Sequence, residues 1–255
     1  MGEELLLKKE EGKATITFNR PEKFNAFTLQ MIEDLTRMLD ELGRDSETKF
    51  VILMGGGGNA FCAGTDINVL AGLKSRDDAA RFIDMVHKMC STIEELPKVV
   101  IAVIDGYCLG LGCEIAMSCD LRMASDDSKF GQPESKLGIL PGAGGTQRMT
   151  RLLGVGKAKE LMYTGATVDQ AEALRIGLVN LVVEKAALRE GVGELVHKLS
   201  VPSYNAILNI KKDVNDSFKL DGYELEKEMF LKCFDHADRA EGVDAFLQRR
   251  KANFA

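Results

Sequence analysis

"KVVIAVIDGYCLGLGCEIAMSCDLRMAS", residues 98–125, decides the fold. The run from Val99 to Ile104 is apolar at every position and ends in Asp105-Gly106, which reads as a strand buried on both faces. "CEIAMSC" (113–119) then reads as a helix and "LRMAS" (121–125) as a second strand. Strand, glycine turn, helix and strand in that order form a βα unit of a largely parallel sheet. One letter resists this reading. Glu114 lies inside a run whose other members, Ile115, Ala116, Met117 and Cys119, suit a domain interior, where an unpaired carboxylate is expensive.

The same alternation extends outward. "ELLLKK" and "ATITF", separated by "EEGK", predict a β-hairpin over residues 4–18. Met31, Ile32, Leu35, Met38, Leu39 and Leu42 follow helical spacing, "FVILM" (50–54) reads as a strand, and residues 77–96 read as a helix. Downstream, "GVGKAKELMYTG" reads as a helix and "GLVNLVVE" as a strand. After about residue 185 the pattern is helical throughout: "ALREGVGELVHKLS", "SYNAILNIKKDVND" and the stretch from Asp221 to Arg250. The fold class is therefore α/β, with an α/β core over 1–190 and an all-helical region over 191–255 whose apolar faces suit packing against another subunit.

Composition bounds the function. A chain of 255 residues, 45% hydrophobic and 28% charged, is an ordinary globular protein. A net charge of −6 argues against broad attraction to nucleic acid or to an anionic membrane. No apolar run approaches the roughly 18 residues of a membrane span. The opening "MGEELLLKKEEGK" is acidic where a leader peptide is basic, and Leu6 replaces the Ser or Thr of a myristoylation signal, so a cytoplasmic protein is expected. The six cysteines show neither a CxxC pair nor a histidine at metal spacing; they read as reduced, buried thiols, with no metal site. None of the glycine clusters completes a nucleotide motif: "GGGGNA" (55–60) precedes "FCAG" rather than a helix, and "GVGKA" ends in Ala158 where a P-loop needs Ser or Thr. They mark tight turns or places where a ligand reaches backbone. The N–H groups of residues 110–112, at a helix start near Cys113, either stabilise an oxyanion or simply turn the chain.

Five blocks, "NRPEKFNAF", "FCAGTDI", "IDGYCLGLGCEIAMSCDLRMAS", "FGQPESKLGILPGAGGTQRMTRLLG" and "DRAEGVDAFLQRRKANF", together resemble the crotonase superfamily, and within it the enoyl-CoA hydratases. The resemblance implies a spiral of ββα turns over 1–190, a helical trimerisation region over 191–255, an acyl-CoA thioester as substrate, no separate cofactor, and a homotrimer or dimer of trimers. It implies that two backbone N–H groups, of Thr65 and Leu111, polarise the thioester carbonyl. CoA would lie along Ala63, Asp66 and Ile67, with Lys23 and Ala26 at the entrance, and Phe234 and Lys251 would reach a neighbouring subunit's ligand. The catalytic pair falls on Glu114 and Glu134. Adding water across an α,β-unsaturated thioester needs a base for the water and an acid for the α-carbon, and two carboxyl groups can supply both. Glu114 is assigned to the water and Glu134 to the α-proton, with exchange of roles through the water left open.

Two positions depart from the commoner hydratase pattern: Thr65 stands for alanine, and Leu111 for the middle glycine of a triplet. A leucine at positive φ would be strained, and its side chain would reshape the acyl pocket. Asp120 and Arg122 read as a cap or pair, Pro133 and Pro141 as restraints on the Glu134 loop, and Cys62 as a packed thiol. The alternatives are an enoyl-CoA isomerase, which needs one carboxylate; a crotonase-type lyase or hydrolase acting on a specialised acyl group; and a non-enzymatic RNA-binding or scaffold homologue.

Overall fold

The computed structural model describes residues 4–217 and, beyond them, Ala237, Asp238, Glu241, Ala245, Gln248, Arg250, Lys251 and Asn253. β1 (Leu5–Glu10) and β2 (Lys13–Phe18) form the expected antiparallel hairpin. α1 (Leu29–Arg44) starts where the Thr28 hydroxyl accepts the Met31 N–H at 3.1 Å. It buries Met31, Ile32, Leu35, Leu39 and Leu42, while Met38 is partly buried.

From there the chain repeats one move: two strands, each in a different sheet, and then helix. β3 (Phe50–Gly55) and β4 (Ala60–Cys62) precede α2 (Ile67–Gly72) and α3 (Arg76–Glu95). β5 (Val99–Ile104) and β6 (Tyr107–Leu109) precede α4 (Leu111–Ser118). β7 (Leu121–Ser125) and β8 (Lys129–Gly131) precede α5 (Gly145–Leu153) and α6 (Val155–Thr164). β9 (Thr167–Asp169), α7 (Gln170–Arg175) and β10 (Leu181–Val183) close the spiral, and α8 (Leu188–Leu199) and α9 (Tyr204–Asp216) follow. The larger sheet runs β1-β2-β3-β5-β7-β10, parallel apart from the hairpin; the smaller runs β4-β6-β8-β9, with only its last pair antiparallel.

The smaller sheet has no counterpart in the sequence pattern, because strands of three residues carry no periodicity. β10 is shorter than the run "GLVNLVVE" suggests. Its first residues form a turn in which the Leu178 and Val179 N–H groups both donate to Ala173 O, at 2.8 and 3.2 Å.

The core lies between the large sheet and the helices. Every residue of β5 is buried, and so is every residue of α4. Phe18 meets Phe27 and Phe61 edge-on, with ring centres 4.9 and 5.1 Å apart, an arrangement that adds to the area term. Gly112 explains how α4 packs so closely on β4, since a Cβ there would stand 2.1 Å from Cys62 O. Asp120 and Arg122 are structural, as expected. Asp120 accepts the Val100 N–H at 2.7 Å, and the Arg122 guanidinium donates to Leu178 O and Cys119 O, both at 2.8 Å.

Contacts divide the chain into Met1–Arg189 and Glu190–Ala255. In the second unit Ser203 caps α9 through the Ala206 N–H at 3.2 Å and its hydroxyl donates to Asp238, while Arg250 pairs with Glu241 at 2.6 Å. Most of the helical stretch read over 221–250, Phe234 included, lies outside the described residues; Lys251 is exposed. Among the described residues no helix is long and apolar enough to cross a membrane.

Candidate active site

Glu114 projects from the first turn of α4 and is 2% exposed. One carboxylate oxygen accepts two backbone N–H groups, from Ala143 and from Gly145, each at 2.8 Å. Burial pushes this carboxyl up to about 7, against the pull of those two donors and of the Arg148 charge. Glu134 sits on a 3-10 turn, Pro133–Leu137. Burial, then the charge of Glu114, push it up to about 7 as well. Gln132 is fully buried, and its amide lies 2.9 Å from both Glu134 oxygens.

Both carboxyl groups line one cavity of about 110 Å³, and so do Thr65 and Leu111. The backbone at Thr65 fixes the direction of its amide. Phe27 bridges to Thr65 through the Phe27 N–H on Gly64 O and the Asp66 N–H on Phe27 O, both 2.9 Å, so the peptide N–H of Thr65 points the other way. Gly64 lies against the next segment: a Cβ on it would be 3.4 Å from Leu109 O and 3.8 Å from Leu111 N.

Two expectations about this segment change. The helix starts at Leu111 rather than near Cys113, and the Gly110 N–H is already donated to Gly131 O at 3.0 Å, so Gly110 drops out of the set of open amides. The positive φ falls on Gly110, at +51° with ψ −125°, a region open to glycine, and Leu111 takes helical geometry without strain. Its side chain is 4% exposed and joins the core along the cavity wall.

The residues assigned to CoA come together in two facing segments. Lys23 is exposed at the end of the 3-10 turn Pro21–Lys23, and the stretch after it lies on the 63–66 segment, the Ala63 N–H donating to Phe24 O at 3.0 Å. The N–H groups of Ala63 and Asp66 are therefore engaged within the fold. The Asp66 side chain caps α2 through Asn68 and pairs with Arg20 at 3.1 Å; the Asn68 N–H, together with Arg20, holds its carboxyl below the usual range. Ala26 O accepts from Arg20, and Ile67 is exposed. Asn25, at φ 55° and fully buried, ties the two segments to the strand before them by donating to Gly56 O and Ala60 O at 3.0 and 2.7 Å. Cys62 is a packed thiol, pushed up to about 12 by burial.

Sequence reasoning missed Gln132, Asn25, Arg148 and the amides of Ala143 and Gly145. All lie inside the quoted blocks, but only Gln132 and Asn25 carried a readable signal, as uncharged polar residues in otherwise buried surroundings.

The sequence model of the enoyl-CoA hydratase/isomerase family matches residues 8–255. The chain is 40% identical over 250 residues to the short-chain-enoyl-CoA hydratase of Clostridium acetobutylicum, covering 97% of this chain and 95% of that protein. It is 38% identical to the crotonyl-CoA hydratase of Syntrophomonas wolfei, covering 99% and 98%. The crystal structure of an enoyl-CoA hydratase from Bacillus anthracis superposes with a TM-score of 0.92 at 34% identity, covering 99% of both chains. With the sequence family, these relatives and the ββα spiral in agreement, the chain belongs to the enoyl-CoA hydratase/isomerase family of the crotonase superfamily and is an enzyme of the enoyl-CoA hydratase type.

Proposed function

We propose that the protein adds water, syn, to a 2-trans-enoyl-CoA to give a 3-hydroxyacyl-CoA, with Glu114 and Glu134 sharing the proton transfers. The observation that carries this reading is the meeting of two carboxyl groups, both raised to about 7, on one small cavity with the open amides of Thr65 and Leu111. At neutral pH such a pair holds close to one proton, one member a base and the other an acid. Glu114 takes a proton from water as its oxygen bonds to the β-carbon. The π electrons move to the thioester oxygen, where the two amides stabilise the enolate, and Glu134 delivers its proton to the α-carbon. One good oxyanion donor is worth about 2.7 to 4 kcal/mol and positioned proton transfer roughly 10²- to 10⁴-fold, so both contributions are needed.

The acyl chain extends from the cavity into an adjoining apolar chamber of about 890 Å³ that shares Leu70, Phe82, Ile83 and Leu140 with it. CoA runs over Lys23, Ala26, Ala63, Asp66 and Ile67. No separate cofactor takes part. The helical region serves a trimer or dimer of trimers, which the exposed apolar Ile210 and Val214 of α9 favour. A reducing, cytoplasmic setting suits the buried free thiols of Cys62, Cys90, Cys108, Cys113 and Cys119.

The test is loss of the conjugated-thioester absorbance of crotonyl-CoA and of longer 2-enoyl-CoAs with purified protein. Turnover supports hydration; double-bond migration without water uptake overturns it in favour of isomerisation. Light scattering on a sizing column reads the oligomer, and a monomer overturns that part.

A further inference from the structure

The proposed chemistry needs two chemically identical side chains to be unequal, and their surroundings differ in a way that chain order hides. Arg148 lies on α5, nine-tenths buried at its side chain. One guanidinium nitrogen, Nη1, donates to Ala143 O at 2.8 Å and the other, Nη2, pairs with Glu94 of α3 at 2.6 Å. The side chain therefore ties α3 to the Ala143–Gly145 segment, which supplies both N–H groups to Glu114. Gly145 is also the first residue of α5, a helix of nine residues, so Glu114 sits at a helix N-terminus, where negative charge is favoured. Around Glu134 burial and then the like charge of Glu114 both favour the protonated form.

We propose that Arg148, held by Glu94, is the positioning residue that makes Glu114 the ionised base and leaves Glu134 the protonated acid. The proposal rests on the hydration reading above. It works through the Ala143 and Gly145 amides, which Arg148 fixes on Glu114, and through the guanidinium charge itself. Among the described residues the charged and titratable groups coupled to Glu114 are Arg148 from α5, Cys90 from α3 and Glu134 from the turn, and Glu94 of α3 acts on Arg148 and Cys90. The Cys90 thiol is pushed up to about 12 by burial and stays neutral. Glu94 partly offsets Arg148, and this gives the idea a signature that a merely structural ion pair lacks: removing either partner must move Glu114 in opposite directions.

The experiment compares Arg148→Gln, Arg148→Lys and Glu94→Gln with wild type in the pH profile of kcat/KM for crotonyl-CoA. Losing the cation moves the acid limb up by about 1 pH unit, the lower end of what a neighbouring opposite charge does. Glu94→Gln keeps an acceptor for Arg148 but bares its charge, and moves the limb down. Arg148→Lys returns the limb toward wild type. An unmoved limb, or shifts of the same sign in Arg148→Gln and Glu94→Gln, overturns the proposal. Carboxyl 13C titration, assigned with Glu114→Gln, reads the Glu114 midpoint without turnover, so the proposal is decided even if wild type fails to hydrate and the functional reading falls. Should Arg148→Gln not fold, Glu94→Gln decides alone: a downward shift supports the proposal and an unmoved or upward-moving limb overturns it.

Discussion

Glu114 and Glu134 are both raised to about 7, from opposite kinds of structure. α4 is buried at all eight positions, and its glutamate is fixed by two amides that pull against the effect of burial. The turn that carries Glu134 leads straight into exposed apolar residues, Leu137, Ile139 and Leu140, and its glutamate is raised by burial and by its neighbour's charge together. Burial raises both, and at Glu134 the partner's charge adds to it. The pair is coupled through charge, so a change at Glu114 is felt at Glu134.

The largest effect that would break this comparison is on catalysis. Glu114→Gln and Glu134→Gln should each lower kcat by roughly 10²- to 10⁴-fold with CoA-ester affinity retained, measured by crotonyl-CoA turnover and by calorimetry with the product ester. Near-full activity in either variant removes that residue from the mechanism. Next comes stability. Gly112→Val places a side chain where Cys62 O already stands and should destabilise by about 1 to 3 kcal/mol in thermal unfolding, because the packed helix, unlike the turn, has no room to shift. A subtler outcome concerns pH. Glu114→Gln removes the like charge, so Glu134 should titrate below its present value of about 7, read by carboxyl 13C shifts; an unchanged midpoint would mean that burial alone sets it. The smallest effect is on specificity. Leu111→Gly opens the cavity wall and should shift the ratio of kcat/KM between crotonyl-CoA and longer enoyl-CoAs by about 10-fold or more, the scale of a methylene-sized change in an apolar pocket.

Much of the larger sheet was legible because its strands announce themselves. "FVILM" and "LRMAS" became β3 and β7 nearly residue for residue, and the helix read over 77–96 became α3, closed at its start by a Ser75–Asp78 capping box. The smaller sheet was not legible, since each of its strands has three residues and exists only by pairing with a partner far along the chain. The site divides in the same way. Glu114 stood out as a carboxylate among apolar neighbours, whereas Glu134, in a polar stretch, was found only through a family resemblance. Arg148 could not be found by spacing, because its partner Glu94 is 54 residues away and the segment it supports is joined to Glu114 only in three dimensions.

The bond from Gly110 N–H to Gly131 O joins the segment that offers the Leu111 amide to the segment that carries Glu134. It is made entirely of main chain, so the alignment of those two segments does not depend on which side chains the neighbouring positions bear. Such a frame lets the side chain at position 111 shape the cavity wall without moving the main chain that flanks it.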